Sequence, residues 1–207
     1  VSVDETATPT SIPEHFLVAS ELRRLGVRFN SLAPRFVGRF EKGVDYIGDL
    51  KQFEAEFIRH SAIARHFGSY RLSLHSGSDK FSIYAIAAQK THGLLHLKTA
   101  GTSYLEALRV IGMVNPELFR MILTLSIERY EEDRTSYHVS GLLEKVRQPE
   151  KVHDHDLPGL LDQFDARQVF HVTFGAVLDR YGPLLHEILR DHENEYYMVL
   201  ETHFKKH

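Results

Sequence analysis

Histidine and lysine side chains stand at the ends of two short alternating stretches near the middle of the chain. In 71–75 and in 94–99, leucines alternate with polar or charged residues, which is typical of strands that bury one face. The polar face of the first stretch ends at His75, and that of the second carries His96 and Lys98. Imidazole and ammonium groups at strand ends can bind a metal ion, hold an anion or transfer a proton.

A loop of small residues follows each stretch, at 76–79 and at 99–102. Each loop precedes a predicted helix, and the free backbone N–H groups at a helix N-terminus favour an anion. Taken without their surroundings, the same loops are explained by ordinary turn chemistry. The candidate substrate-binding residues of the two loops are Ser76, Gly77, Ser78, Gly101 and Thr102.

Oxygen and imidazole groups indicate a divalent metal site. Asp4 and Glu5 follow a predicted strand at the start of the chain, and the chain contains 14 histidines. We predict Asp4, His75 and His96 as metal ligands, with Glu5 as a further ligand or a catalytic base. These ligand types suit Mn, Zn, Ni and Co equally well. The alternatives are loop-capping carboxylates for Asp4 and Glu5, a loop hydrogen bond for His75 and a core position for His96.

Two cations follow predicted strands and are candidates for binding a carboxylate. Arg35 comes after Ala-Pro, and arginine binds planar carboxylates through two hydrogen bonds. Lys98 points inward in this prediction, where an unpaired ammonium is costly to bury and therefore requires an anionic partner. Arg35 could instead form a surface salt bridge. Asp79 is a candidate acid/base, or a partner of the neighbouring Lys80.

Four strand–helix units are needed to position these residues. The strands are predicted at 1–5, 27–32, 71–75 and 94–99; Ser11 and Asp49 are predicted N-caps of the helices that end near Leu25 and Phe67. Phe16, Leu17, Leu22 and Leu25 are predicted core residues of the first helix. Further helices are predicted at 165–181 and 183–204, separated before Pro183.

Repeated strand–helix units with polar groups at the strand ends are the layout of a (β/α) barrel. We predict an α/β fold, the C-terminal half of a (β/α)8 TIM-type barrel, with a helical C-terminal extension. The expected domains are 1–112 for the half-barrel and 113–207 for the extension that packs on it. The chain starts inside a predicted strand and without methionine, so we expect it to be the C-terminal part of a longer protein.

Composition excludes several classes of function. The chain has 207 residues, a formal charge of −3 and no cysteine, which gives no electrostatic case for nucleic acid or an anionic membrane and excludes disulfides and thiolate metal sites. No apolar run reaches membrane-spanning length, and the N-terminus does not resemble a signal peptide. A cytoplasmic protein is the expectation.

Several long segments resemble the bacterial tagaturonate/fructuronate epimerase family. They are VDETATPT, SLAPRFVGRFEKGVDYIGDL, LSLHSGSDKFSIY, HLKTAGTSYLEALRV, EEDRTSYHVS and DARQVFHVTFG. The resemblance extends over essentially the whole chain and implies the C-terminal half of a metal-dependent TIM barrel enzyme of hexuronate catabolism. It also implies a substrate-binding role for His171, which lies in the last of these segments.

The implied reaction interconverts D-tagaturonate and D-fructuronate, small ketouronates that differ at a hydroxyl-bearing carbon β to the ketone. The carbonyl does not acidify the C–H bond at that carbon, so a retro-aldol route with a divalent metal and an acid/base pair is favoured. Glu5 or Asp79 would transfer protons, and Lys98 is predicted as a third catalytic residue. A hydride route stays open, although no GxGxxG motif follows a strand here.

Two competing functions remain. The chain could belong to another metal-dependent sugar isomerase or aldolase on the same barrel. It could also be an inactive module that requires its partner, because a half-barrel exposes two unpaired strand edges. The expected partner is the missing N-terminal half of the barrel or another copy of the chain.

Overall fold

The computed structural model describes residues 1–68 and 70–206 as two compact units. The first unit comprises Val1–Phe40 and Asp45–Thr99, and the second comprises Glu41–Val44 with the described residues from Ala100 onward. The fold is α/β, with one four-stranded parallel sheet in the first unit and helices in the second. No helix of the described chain is both long enough and apolar enough to cross a membrane.

Parallel strands and connecting helices alternate in the first unit. Neighbouring strands in the sheet are consecutive in sequence, in the order β1-β2-β3-β4. The elements are β1 (Ser2–Val3), α1 (Ile12–Arg24), β2 (Ser31–Pro34), α2 (Leu50–His66), β3 (Arg71–Leu74), α3 (Phe81–Thr91) and β4 (Leu95–Leu97).

The two faces of this sheet differ in chemistry. Leu72 pairs with Leu95 and Leu74 with Leu97, so these leucines share one face with Leu32. All three helices of the unit contribute to the hydrophobic cluster on that face, through residues such as Ala19 of α1, Phe53 and Phe57 of α2, and Ile83 of α3. The opposite face carries Ser2, Ala33, Ser73 and His96.

The predicted helix caps are confirmed. Ser11 accepts from the Glu14 N–H and the Glu14 carboxylate accepts from the Ser11 N–H, which is the capping box that the sequence indicated. The Asp49 carboxylate accepts from the Lys51 and Gln52 N–H groups at the start of α2. Each side chain satisfies N–H groups that have no partner within the helix.

The second strand begins later than predicted, at Ser31 rather than at Val27. Gly26 adopts a left-handed conformation with φ of 68°, and the Val27 N–H donates to the Leu22 carbonyl at 2.9 Å. Together with the bond from the Gly26 N–H to Arg23, this forms a Schellman motif that keeps Val27 within the end of α1.

Three of the four core residues predicted for α1 were wrong, whereas the fourth, Leu22, packs against the hydrophobic cluster of the first unit. Phe16, Leu17 and Leu25 are 49%, 61% and 62% exposed, respectively, whereas His15 and Ala19 are buried. Side chains four residues apart share a helix face, so a helix that buries His15 and Ala19 turns Leu17 away from the core.

Five helices and four short 3-10 turns make up most of the second unit. Helices α4, α5, α6 and α7 contribute to its hydrophobic cluster. The helices are α4 (Thr102–Val114), α5 (Pro116–Asp133), α6 (Phe164–Val172), α7 (Phe174–Asp191) and α8 (Glu193–Phe204); the 3-10 turns are Arg134–Ser136, Leu143–Lys145, Pro149–Lys151 and Asp154–Asp162. Helix α4, which the sequence analysis grouped with the half-barrel, lies in this second unit.

The predicted helix break before Pro183 was wrong, because α7 continues through this proline. The helices divide instead at Thr173, whose hydroxyl donates to the Val169 carbonyl at 2.9 Å, and at His192. Pro183 is exposed, so the carbonyl that lacks its helical N–H partner lies on the side of α7 that water reaches.

Candidate active site

Four ionisable side chains follow the carboxyl ends of the four strands, on the polar face of the sheet. Each lies two residues beyond one of the polar-face residues Ser2, Ala33, Ser73 and His96, and side chains two residues apart point to the same face. The same edge therefore gathers a carboxylate, a guanidinium, an imidazole and an ammonium. We call Asp4, Arg35, His75 and Lys98 the strand-end group.

Asp4 and His75 form a direct pair at the centre of this group. His75 Nδ1 lies 2.9 Å from Asp4 Oδ2, and both side chains are 19% exposed. The Ser2 hydroxyl donates to the other oxygen of Asp4. Burial, assisted by Lys98 and His96, lowers the pKa of His75 below its ordinary value, although Asp4 opposes this effect. The His75 imidazole is therefore neutral near pH 7. Because Nδ1 contacts Asp4, Nε2 is the ring nitrogen on the other side of the imidazole.

His96 is oriented in a similar way. Its Nδ1 lies 2.6 Å from the Ser73 hydroxyl on the neighbouring strand, and Ser73 is buried. The His96 side chain is exposed within the described residues. Both histidines thus have Nδ1 fixed by an oxygen partner, and such hydrogen bonds orient the imidazoles that bind metal ions in proteins.

Arg35 is anchored through its backbone. Its N–H donates to the Thr10 hydroxyl at 2.9 Å, and its carbonyl accepts from the Thr10 N–H at 2.8 Å. Within residues 1–68 and 70–206, the half-buried guanidinium forms no hydrogen bond or ion pair. Its donors are therefore available to an anion.

Lys98 is exposed within the described residues. Strand β4 is an outer strand of the described sheet, which leaves the side chain open on one side. The backbone of Lys98 is nevertheless fixed, because its N–H donates to the Leu74 carbonyl and its carbonyl accepts from the Gly77 N–H. The ammonium is therefore placed beside His75 with access to solvent.

The loop between β3 and α3 forms a tight turn with its polar residues largely inside. Ser76 is half-buried, and Gly77, Ser78 and Asp79 are buried. The two predicted acid/base candidates therefore differ in solvent exposure: Asp79 is 3% exposed, whereas Glu5 is exposed.

The start of α3 already has an acidic partner, which the sequence analysis did not predict. The Asp45 carboxylate accepts from the Ser82 hydroxyl at 2.9 Å and from the Ser82 N–H at 3.2 Å. A carboxylate at this N-terminus neutralises part of the positive end of the helix dipole. The anion-binding prediction for the 76–79 loop loses this part of its support.

Three residues predicted for substrate binding lie together in the second unit. Gly101 has φ of 78° and contacts the His171 imidazole so closely that a Cβ at this position would collide with the ring. Thr102 follows as the first residue of α4, and both Thr102 and His171 are buried. The structure thus brings the Gly-Thr loop and His171 to one helix N-terminus, where no side chain of the described residues caps α4.

No three His, Cys, Asp or Glu side chains of the described chain converge closely enough to form a complete metal site. Asp4, His75 and His96 nevertheless contribute a carboxylate and two oriented imidazoles on neighbouring strands. These donors suit a borderline divalent ion.

Sequence reasoning missed a buried polar cluster under α1. His15 Nδ1 lies 2.8 Å from His60 Nδ1, and His15 Nε2 lies 2.6 Å from the Tyr70 hydroxyl. Burial, with a contribution from His60, lowers the pKa of His15 to about 3, and burial lowers that of His60 to about 4. Tyr70 directly precedes β3, so the cluster lies at the opposite end of that strand from His75. The i, i+4 spacing of His15 and Ala19 is a weak signal for this face.

A second missed cluster surrounds Glu41. Its carboxylate accepts from the Ser140 N–H at 2.9 Å, the Ser140 hydroxyl at 2.7 Å and Gln168 Nε2 at 2.9 Å. Gln168 Oε1 in turn accepts from the Gly141 N–H at 2.6 Å. The signal was present in the sequence, because Glu41, Ser140 and Gln168 lie in segments that carry the family resemblance and Gly141 directly follows one of them.

Comparison with known proteins identifies the family. A sequence profile described as tagaturonate epimerase (UxaE) matches residues 1–207. The chain belongs to the tagaturonate epimerase family. A curated relative, the tagaturonate/fructuronate epimerase of Thermotoga maritima, is 54% identical over 100% of this chain and 44% of its own length. The chain thus spans less than half of that tagaturonate epimerase.

Crystal structures of a family member show the same fold. The native fructuronate-tagaturonate epimerase UxaE from Cohnella laeviribosi is 44% identical, with a TM-score of 0.97 over 99% of this chain and 43% of that one. The complex of that enzyme with two glycerols gives 44% identity and a TM-score of 0.97 over 100% of this chain and 44% of that one. The prediction of the family from the sequence is confirmed.

Proposed function

We propose that the protein interconverts D-tagaturonate and D-fructuronate and that the strand-end group forms part of its active site. The reaction is that of the Thermotoga maritima relative, which is 54% identical along the whole chain. The observation that carries the assignment of the site is that four neighbouring parallel strands are each followed on the same face by an ionisable residue, with Asp4 and His75 in direct contact.

We further propose that the first unit is part of a (β/α)8 barrel. Each strand lies beside the next one in the sequence, so the order across the sheet never reverses. Helices α1, α2 and α3 all pack on the leucine face. A doubly wound sheet would place helices on both faces, whereas a barrel places them outside and directs the other face inward. The polar face with Ser73 and His96 would then line the barrel interior, with the strand-end group at its catalytic end.

The chemistry follows from the position of the inverted carbon, which bears a hydroxyl β to the ketone. A base removes the hydroxyl proton, the bond between this carbon and the carbon next to the ketone breaks, and an aldehyde forms while the electron pair of that bond leaves the ketone fragment as an enolate. Re-addition to the other face of the aldehyde restores that bond, and the proton returns to the new hydroxyl. Glu5 and Asp79 are the candidate bases. Arg35 and Lys98 bind the carboxylate and fix the substrate during this exchange.

A divalent metal fits the donors on this edge. Nε2 of His75 and Nε2 of His96 would serve as ligands, because Nδ1 of each ring already has an oxygen partner. The Asp4 carboxylate would serve as a further ligand or as the group that orients His75. When bound, the ion would act as a Lewis acid on the substrate ketone.

The cellular context that we propose is cytoplasmic, with a small ketouronate as the binding partner. The absence of cysteine from all 207 residues is compatible with a reducing compartment.

The test replaces His75 by alanine in the complete gene product. Metal content and turnover of D-tagaturonate should both fall by about a hundred-fold or more, because ligands and the groups that orient them control metal affinity. His66→Ala is the matched control, since His66 is an exposed histidine at the end of α2. Wild-type metal content and turnover in His75→Ala would reject the assignment of the site.

Substrate profiling separates this function from that of another sugar isomerase or aldolase. The epimerase returns a ketouronate of unchanged mass, whereas an aldolase releases two fragments. Release of fragments, or turnover restricted to neutral sugars, would contradict the proposed function.

A further inference from the structure

The turn that follows His75 adopts a backbone conformation that its residues do not favour. Ser76 has φ of 49° and Asp79 has φ of 62°, both in the left-handed region that side chains other than glycine rarely adopt. Two such residues within four positions require the surrounding structure to hold them in place. The turn therefore depends on contacts made to it from outside.

Tyr84, in the first turn of α3, supplies one of these contacts. Its hydroxyl accepts a hydrogen bond from the Lys80 N–H at 3.0 Å and donates to the Gly77 carbonyl. Tyr84 is 7% exposed, and its edge-to-face contact with Phe81 further fixes the ring. One hydroxyl thus joins the start and the end of the 77–80 turn.

Strand β4 holds the same turn from the other side. The Gly77 N–H donates to the Lys98 carbonyl at 2.9 Å, and a Cβ at Gly77 would lie 2.6 Å from the Leu74 carbonyl oxygen. Gly77 is therefore fixed through its N–H by β4 and through its carbonyl by Tyr84. Only Ser76 separates this fixed point from His75.

We propose that Tyr84 is a positioning residue for the reaction. It holds the turn so that the His75 imidazole stays on Asp4 and the Ser76 and Ser78 groups keep their places at the substrate. Tyr84 acts through the backbone of the turn. The proposal rests on the proposed function, because it links the contact between Tyr84 and the turn to the binding of a ketouronate.

The experiment compares Tyr84→Phe with wild type in the complete gene product. Loss of the hydroxyl should increase the hydrogen-exchange rate of the Lys80 amide at least about ten-fold, because this N–H loses its acceptor. The KM for D-tagaturonate should rise about ten-fold or more, with a smaller change in kcat, because the turn acts in substrate binding.

Tyr70→Phe is the matched control. Tyr70 is also a buried tyrosine with a hydrogen-bonded hydroxyl, but it lies at the other end of β3, against His15. This variant should lose stability and keep the wild-type KM. If Tyr84 had a merely structural role, both variants would lose stability and keep the wild-type KM.

Two results would overturn the proposal while wild type is active: an unchanged Lys80 exchange rate, or an unchanged KM despite faster exchange. Wild-type protein that converts neither ketouronate would instead reject the proposed function. If Tyr84→Phe does not fold, Ser76→Gly/Tyr84→Phe is compared with Ser76→Gly alone, because glycine accepts the positive φ at position 76.

Discussion

Arg35 combines a fixed backbone with a guanidinium that makes no ion pair within the described residues. Hydrogen bonds between charged groups contribute about 1.5–3 kcal/mol, so loss of a bidentate contact to the substrate carboxylate corresponds to about a 10- to 100-fold change. We predict that Arg35→Ala raises the KM for D-tagaturonate by this factor, measured by steady-state kinetics. Arg35→Lys should recover only part of the loss, because an ammonium lacks the planar pair of donors.

Arg71→Ala is the control for this prediction. Arg71 is an exposed arginine at the start of β3, at the opposite end of the same sheet. A KM that rises equally in both variants would indicate a general effect of charge and would contradict a specific contact at Arg35.

The buried His15–His60 pair predicts how stability depends on pH. Both pKa values are lowered, to about 3 and about 4, so between pH 6.5 and 4 the unfolded chain binds protons at these residues and the folded chain does not. The free energy of unfolding therefore falls as pH falls through this range, by up to about 1.4 kcal/mol per pH unit for each histidine. Urea denaturation between pH 7.5 and 4.5 measures this slope.

His60→Asn should flatten the slope, because asparagine can still form a hydrogen bond with His15 but does not titrate. Equal slopes for wild type and His60→Asn would assign the pH dependence to other groups. The effect of this substitution should be confined to stability, since the pair lies at the end of β3 away from His75.

The sequence predicted the meeting of Asp4 and His75 because the two-residue period of a strand fixes which side chains share a face. It could not predict the burial of His15, because the neighbouring Phe16 and Leu17 are more apolar. Which face of α1 turns inward depends on packing against α2, where Phe53 and Phe57 supply the apolar partners. Local hydrophobicity alone does not contain that information.

At the scale of the elements, Asp45 is a cap supplied from a distant part of the sequence. It lies 37 residues from Ser82 and accepts hydrogen bonds from the N–H and the hydroxyl of that residue. Loss of such a cap typically costs about 0.5–2 kcal/mol. We predict this loss for Asp45→Ala, measured by chemical denaturation, with faster amide exchange in the first turn of α3.

Asp49→Ala is the matched variant, since Asp49 caps α2 from the adjacent position in the sequence. It should lower stability by a similar amount and leave exchange at the start of α3 unchanged. Faster exchange at α3 in both variants would contradict a local role for Asp45.

The difference between a cap that is adjacent in sequence and one from a distant segment explains which helix ends could be predicted. Ser11 and Asp49 cap helices that begin at the next residue, so their signals are local. Pro183 gave a misleading local signal, because an exposed carbonyl within α7 tolerates the missing N–H. The Asp45 cap could not be predicted from local sequence, because it depends on how the chain folds around β3.

At the scale of the whole molecule, the separation of the two sheet faces is the strongest argument for a barrel. The alternation of strands and helices followed from the pattern of the sequence, whereas closure into the proposed barrel would require strands in addition to the four described. The chain spans 44% of the Thermotoga maritima relative, so the complete gene product is the appropriate material for assays.

The central claim is that the strand-end group belongs to a tagaturonate/fructuronate epimerase, and NMR of D-tagaturonate incubated with the complete gene product in D₂O tests it most directly. The retro-aldol route keeps the original hydrogen on the inverted carbon, because only its carbon–carbon bond and its hydroxyl proton are exchanged. We predict D-fructuronate without deuterium at this carbon. Failure to form D-fructuronate, or deuterium at the inverted carbon, would contradict the account.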